Sequence, residues 1–242
     1  MRVVKADWEK RNLGVSCTEI EISSNDSVET VTDALRQNKD EYMVIKVPYG
    51  LVDIGLAVQN EGFKYIESNI QLELKMKEKP VLPTIYKRYE SFVDVHEASE
   101  KEISEVLNAI RSGEIFTTDK VALDPFFSAE QSGRRYAFWT EDLLNAGNCK
   151  LNVSSYKNDI IAFGVIINRE KYYDAFLGGL FNKSSARGLG FVPIYANTIS
   201  SFNNGGLCVK TGVSSNNLPI LKLHMLLGYH IQELSSIYIK HN

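Results

Sequence analysis

A mixed α/β fold is predicted by three observations. Residues 172–224 run as strand, glycine loop, helix, strand and Asn-led helix. Short strands alternate with two helical patches before residue 78, and an acidic amphipathic helix precedes a further strand at 159–167.

In the amino-terminal part, the second helical patch spans residues 51–60, and Gly62 just beyond it is a helix-ending residue. Glu78-Lys79-Pro80-Val81-Leu82-Pro83 sets prolines and charges between apolar segments, which divides a smaller α/β region (1–79) from the remainder (80–242). Residues 96–110 read as a helix with Ile103, Val106, Leu107 and Ile110 at core spacing. Asn203-Asn204-Gly205-Gly206 is a turn.

The carboxy-terminal segment is the most specific. Tyr172-Tyr173-Asp174-Ala175-Phe176-Leu177 reads as a strand that kinks or bulges at Gly178-Gly179 before Leu180-Phe181. The loop Lys183-Ser184-Ser185-Ala186-Arg187-Gly188-Leu189-Gly190 then leads into a helix over 191–199, where Pro193 is tolerated only in the first turn. Unpaired amides at a helix start, reached through glycines, favour an anion such as a pyrophosphate, with Lys183 and Arg187 adding countercharge. A lone Gly-x-Gly also serves ordinary tight turns. A dinucleotide fingerprint does not fit, because its third glycine falls at Pro193 and no acidic residue follows at the ribose position. After a strand at 207–213, Asn216 or Asn217 caps a helix over 218–227 closed by Gly228, with Pro219 in its first turn. Asn217 and His224 lie about two turns apart and project to one side.

This array resembles the acyl-CoA core of the GNAT N-acetyltransferase superfamily, over roughly the last two-fifths of the chain, and the resemblance implies a partly splayed mixed sheet flanked by helices. The family loop has the form (Gln/Arg)-x-x-Gly-x-(Gly/Ala); Gly188, Gly190 and Asn217 match it, while Ser185 replaces Gln or Arg and His224 stands where a Tyr is usual. The resemblance implies acyl-CoA as co-substrate, carrying acetyl or a longer chain, held by Leu177, Gly178, Gly179, Leu180, Phe181, Ser185, Ala186, Arg187, Gly188, Leu189, Gly190 and Asn217. It implies catalytic roles for Asn217 and His224, the imidazole, with a reference pKa of about 6.5, supplying a proton to the leaving thiolate. His224 also reads as an ordinary half-buried helix residue beside Ile220 and Leu221.

A narrower resemblance, to bacterial fucosamine-type sugar-nucleotide N-acyltransferases, rests on Trp8-Glu9-Lys10-Arg11-Asn12-Leu13-Gly14, Val44-Ile45-Lys46-Val47-Pro48 and the stretch 52–63. It continues in Asp124-Pro125-Phe126-Phe127 and Arg134-Arg135-Tyr136-Ala137-Phe138-Trp139. It implies transfer to the amino group of a dTDP-linked amino-deoxy sugar for surface polysaccharide, with Asp124, Phe127, Arg134, Arg135, Tyr136 and Trp139 at the acceptor. Arginine suits a diphosphate and an aromatic face suits a ring. Tyr136 and Trp139, three apart, equally make one buried helix stripe.

The chemistry expected is amine attack on a thioester lying against residues 177–181, where a backbone N–H stabilises the oxyanion. No Glu or Asp is marked as base by its position, and Gly178-Gly179 leave room for a longer acyl chain. Two other readings stay open: the same fold acting on a peptide or small-molecule amine, and a CoA-binding regulator without turnover.

Composition is consistent with such an enzyme. The 242 residues suffice for a sizeable core. A formal net charge of -3 gives no broad basic field, so nucleic acid is not expected as a partner. The three cysteines, Cys17, Cys149 and Cys208, are widely spaced and form neither a disulfide framework nor a zinc pattern, so no metal is expected. The first residues lack the apolar core of a signal peptide and no apolar run reaches about 18 residues, so a cytoplasmic protein without a membrane partner is expected. Oligomeric state is not indicated.

Overall fold

A computed structural model describes residues 1–157, 159–181 and 184–242, with the side chain of Ser184 excepted. The elements follow in order: β1 (Arg2–Lys5), α1 (Trp8–Asn12), β2 (Cys17–Glu21), α2 (Val28–Gln37), β3 (Tyr42–Pro48), α3 (Val52–Asn60) and β4 (Lys64–Lys75). Then come β5 (Val93–Glu97), α4 (Glu100–Arg111), α5 (Ala129–Asn145), β6 (Cys149–Tyr156), β7 (Asp159–Asn168) and β8 (Tyr173–Leu180). The chain continues through α6 (Val192–Asn203), β9 (Cys208–Ser214), α7 (Leu218–Leu226) and β10 (His230–His241). No helix among the described residues is long and apolar enough to cross a membrane.

The ten strands form one sheet in the order β1-β2-β3-β10-β4-β9-β8-β7-β6-β5. All neighbours are antiparallel except β2 with β3 and β8 with β9. Strands from the two ends of the chain interleave, since β10 lies between β3 and β4 and reaches across the 79/80 division. Helices α1, α4 and α5 cover one face and α2, α3, α6 and α7 the other.

Local chemistry accounts for the boundaries. Asn217 caps α7, its side chain accepting the Ile220 N–H, and Pro219 lies in the first turn. The helix expected over 96–110 begins later: Ser99 and Glu102 form a capping box that starts α4 at Glu100, and His96 and Glu97 belong to β5.

The parallel pair β8–β9 is the shortest contact in the sheet. It registers only Tyr173 with Val209 and Asp174 with Lys210. The Thr211 hydroxyl then donates to the Ala175 carbonyl at 2.9 Å, and beyond that point the strands part. On its other side β8 carries a bulge, because Val165 pairs with Leu177 and Ile166 with Ala175, which leaves Phe176 as the extra residue.

The glycines of β8 serve packing. A Cβ on Gly178 would lie 3.2 Å from Pro193 of α6, and one on Gly179 would lie 2.5 Å from Phe163 and 2.7 Å from Ile115. These spaces are filled by α6 and by core side chains, so the two glycines allow close packing on both faces of the strand. Replacing Gly179 with Ala should cost about 1–3 kcal/mol by forcing Phe163 and Ile115 off their positions. Urea denaturation would register this as a lowered midpoint with an unchanged slope.

Candidate functional site

The divergence of β8 from β9 opens a slot through the sheet. A cavity of about 620 Å³ occupies it, with walls from both faces: Pro193, Asn197, Ile220 and His224 on the α6/α7 side, and Phe116, Asp119, Tyr136 and Trp139 on the α5 side. A second cavity of about 330 Å³ lies on the α5 face, between that helix and strands β2, β3, β10 and β4. Asn69, Gln71, Asp119, Tyr136, Trp139, Gly212 and Ser214 line both, so the two spaces share a wall. A ligand in the slot and another in the second cavity would meet at that wall.

The slot side contains part of the expected cofactor set. Leu177, Gly178, Gly179, Leu180, Gly190 and Asn217 line the cavity; Phe181, Ser185, Ala186, Arg187, Gly188 and Leu189 are not part of its wall. The Phe181 N–H donates to the Ile161 carbonyl at 2.8 Å. Because an antiparallel ladder turns alternate residues to opposite edges, Leu177 and Gly179 face β7 with Phe181, while Gly178 and Leu180 present their N–H and C=O groups to the slot. The expected donors between residues 177 and 181 therefore reduce to these two amides.

In the loop, Gly188 holds a positive φ of 78°, a conformation that favours glycine. The Leu189 side chain is buried and its N–H donates to the Ala186 carbonyl at 3.1 Å, so this amide is not offered to a ligand. Among the described residues, the Gly190 N–H donates to no backbone carbonyl and no side chain caps α6, whereas Phe191 is fully buried, so its amide, like that of Leu189, is not offered to a ligand. The Gly190 amide lies near the positive end of α6 on the cavity wall, a place where an anion would be favoured. Arg187 is exposed, Ala186 is buried, and Lys183 lies outside the described residues.

His224 reaches the cavity but not in the expected state. Its Nδ1 lies 2.9 Å from the Ile220 carbonyl, which only accepts, so Nδ1 carries the proton and Nε2 a lone pair. Burial, opposed by that hydrogen bond, pushes its pKa down to about 4. A neutral imidazole with an accepting Nε2 does not hand a proton to a thiolate near neutral pH, which corrects the acid role expected from the sequence. Tyr229, edge-on to this ring at 4.9 Å, shares a 2.7 Å hydrogen bond with Thr198.

On the acceptor side, Tyr136 and Trp139 line both cavities, while Asp124, Phe127 and Arg134 line neither. The Arg134 Nε donates to the Asn12 carbonyl at 3.0 Å and so ties α5 to α1. Asp124 is buried with its Oδ2 2.7 Å from His241 Nε2, and Phe127 packs edge-on against Tyr42. Of the three, Phe127 belongs to the hydrophobic core around α1 and β10, which the loop reaches before α5 begins.

The second cavity is lined by charged groups, of which the sequence reading named Arg135 and missed Glu19, Glu67, Asp119 and Lys120. Arg135 pairs with Glu9 at 2.7 Å, both buried; burial opposes the guanidinium charge, but Glu9 and neighbouring acidic groups hold its pKa above the ordinary value. Lys120 pairs with Glu19 at 2.8 Å, and this ammonium draws the Glu19 carboxyl down to about 2 against the effect of burial. Asp119 accepts the Tyr136 hydroxyl at 2.6 Å and the Ala122 N–H at 3.0 Å.

Glu67 is different. Only 5% exposed, it accepts the Lys120 N–H on Oε1 at 3.0 Å, while Oε2 is buried without a hydrogen bond of ordinary geometry. Burial raises its pKa, although the Ser214 hydroxyl beside it favours the charged form. A signal for it was present: Glu67, Asn69 and Gln71 alternate along β4 and so place a polar stripe on one face of an otherwise buried strand. Among the described residues, no group of three or more His, Cys, Asp or Glu side chains is placed to hold a metal ion.

No family model matches the chain, and no curated protein matches it. Solved structures do. A functionally unknown conserved protein from Staphylococcus epidermidis aligns with 94% of this chain and 84% of its own, at 13% identity and a TM-score of 0.63. A GCN5-related N-acetyltransferase from Kribbella flavida aligns over 93% and 81%, at 13% identity and a TM-score of 0.58. A GCN5-related glucosamine N-acetyltransferase region of a fungal multi-domain β-N-acetylglucosaminidase aligns with 99% of this chain, which spans 31% of that protein, at 11% identity and a TM-score of 0.66. The chain has the GNAT fold.

Because the His224 pKa is lowered on folding, the unfolded chain binds a proton there that the folded chain does not, between roughly pH 6.5 and pH 4. Its contribution is thus complete above that window and lost as pH falls through it. His224→Phe should flatten the acid loss of stability over this range by roughly 3 kcal/mol, measured as urea-unfolding free energy of both proteins from pH 7 to pH 4.

Proposed function

We propose that the protein is an N-acyltransferase that moves an acyl group from acyl-CoA to a primary amine. The observation that carries this reading is the slot between β8 and β9. It offers a free strand edge at Gly178 and Leu180, a corner that favours an anion at the Gly190 amide, and an opening toward a charged second cavity. An extended thioester with a phosphorylated handle suits the first two features. An amine suits the third.

In this reading the acyl-CoA lies along β8 with its thioester at the shared wall. The acceptor nitrogen, which becomes the neutral amine by losing its first proton to solvent, attacks the carbonyl carbon; a C–N bond forms, the C–S bond breaks and the sulfur leaves as thiolate. An N–H of Gly178 or Leu180 faces the developing oxyanion. The nitrogen's proton passes to Glu67, and the thiolate takes its own from water, since His224 has none to give. Glu67 suits the base role because burial brings its pKa closer to neutrality while Oε2 stays free. Asn217, whose side-chain carbonyl caps α7, is left to position the donor with its amide.

An amino sugar remains a candidate acceptor, supported by Trp139 as a flat face at the shared wall and by the glucosamine N-acetyltransferase region among the similar structures. Linkage to a dTDP handle, and with it a role in surface polysaccharide, draws no support from Arg134, Asp124 or Phe127, which are all turned away from both cavities.

Glu67→Gln should lower kcat by about 100-fold and leave the KM for acetyl-CoA unchanged, as read from thiol release over a panel of amines. Since the carboxylate is the active form, wild-type activity should fall as pH drops through its raised pKa, and that limb should vanish in the variant. Calorimetry showing no binding of CoA or its thioesters would remove the whole reading.

A further inference from the structure

The floor of the second cavity carries a row of residues in register across three strands. Lys46 of β3 pairs with Ile237 of β10, which pairs in turn with Glu67 of β4. Directly opposed residues project to the same face, and strands lie about 4.8 Å apart, so Lys46 and Glu67 stand roughly 10 Å apart at their backbones with an apolar side chain between them. All three line the cavity.

The other charges there are already satisfied. Glu19 holds Lys120 at 2.8 Å, and Glu9, outside the wall, holds Arg135 at 2.7 Å. Glu21 meets Arg2 at 3.3 Å, and both oxygens of Asp119 accept hydrogen bonds. Two charges are left over. Glu67 keeps one buried oxygen free, and among the described residues no carboxylate lies within 4.0 Å of the half-buried Lys46 ammonium. A buried carboxylate and an ammonium, each lacking a counterpart, call for a ligand with the reverse arrangement.

We propose that the acceptor is a small zwitterion whose primary amine meets Glu67 and whose single carboxylate meets Lys46, the two joined by a short aliphatic spacer lying over Ile237. A phosphate monoester or a diphosphate brings more than one negative charge, and this pocket has one uncommitted cation to receive it. A neutral amino sugar would leave Lys46 unpaired. The inference rests on the transferase reading above and names its substrate class.

Initial rates of thiol release from acetyl-CoA test it, with 4-aminobutyrate and 5-aminopentanoate set beside their carboxamides, glucosamine, glucosamine 6-phosphate and a dTDP-linked amino sugar. The carboxylates should show a kcat/KM about tenfold above the carboxamides. Lys46→Ala should abolish that preference by raising KM for the carboxylates alone, with the KM values for acetyl-CoA and the carboxamides unchanged, and Lys46→Arg should restore it. Carboxamides used as well as acids, a preference that survives Lys46→Ala, or a better rate with glucosamine, the phosphate or the nucleotide would overturn the assignment while leaving the transferase intact. Failure of all the amines alongside measurable acetyl-CoA binding would overturn it too, and failure of acetyl-CoA binding itself would overturn the transferase reading along with it.

Discussion

The structure depends on two parallel strands being allowed to part. Pairing of β8 with β9 ends after two registered positions, and the Thr211 hydroxyl takes the Ala175 carbonyl where the backbone ladder gives out. A buried sheet rarely tolerates unpaired backbone groups, because each lost hydrogen bond leaves a desolvated donor or acceptor. Here the cost is offset locally. The edge groups of β8 at Gly178 and Leu180 open into a cavity, where solvent can meet them. The same gap that weakens the sheet connects its two faces, so one ligand can approach from the α6/α7 side and another from the α5 side.

Close packing keeps that gap in shape. Helix α6 sits tight on β8 because Gly178 has no side chain to hold Pro193 away, and Gly179 admits Phe163 and Ile115 on the opposite side. Overfilling either contact would move the strand edge on which the site is built. Electrostatics does comparable service on the acceptor side. Arg135 is held by Glu9 of α1, and Arg134 by the carbonyl of Asn12, so α5 is tied to α1 by neighbouring residues that project in different directions. Removing one member of the buried Glu9–Arg135 pair would leave an uncompensated charge, which is far more costly than the pair is stabilising.

Much of the slot was legible in the sequence because its signals are local. Glycines, a first-turn proline and a capping asparagine act within a few residues, and the strand–loop–helix order leaves few arrangements open. The acceptor side was less legible. Choosing between Arg134 and Arg135 requires knowing which way α5 is turned, and adjacent positions on a helix differ by about 100°. Asp124 and Phe127 looked available because a loop carries them, yet His241 and Tyr42, far away in sequence, bury them. The ionisation of His224 was misjudged for a related reason: composition and spacing place it on a helix, but the desolvation that strips its proton comes from distant packing. The polar stripe of Glu67, Asn69 and Gln71 could have been read, since alternation along a strand is as local as any cap.

The position of β10 bears on how such a chain reaches its native state. Residues 230–241 are laid between β3 and β4, so the ladder that joins the first strands to the rest is completed by a segment that emerges well after both of its neighbours during synthesis. Until then β3 and β4 each expose a bare edge, and exposed edges recruit other chains. Biogenesis therefore passes through a vulnerable interval that ends when the late strand is threaded home between its two neighbours.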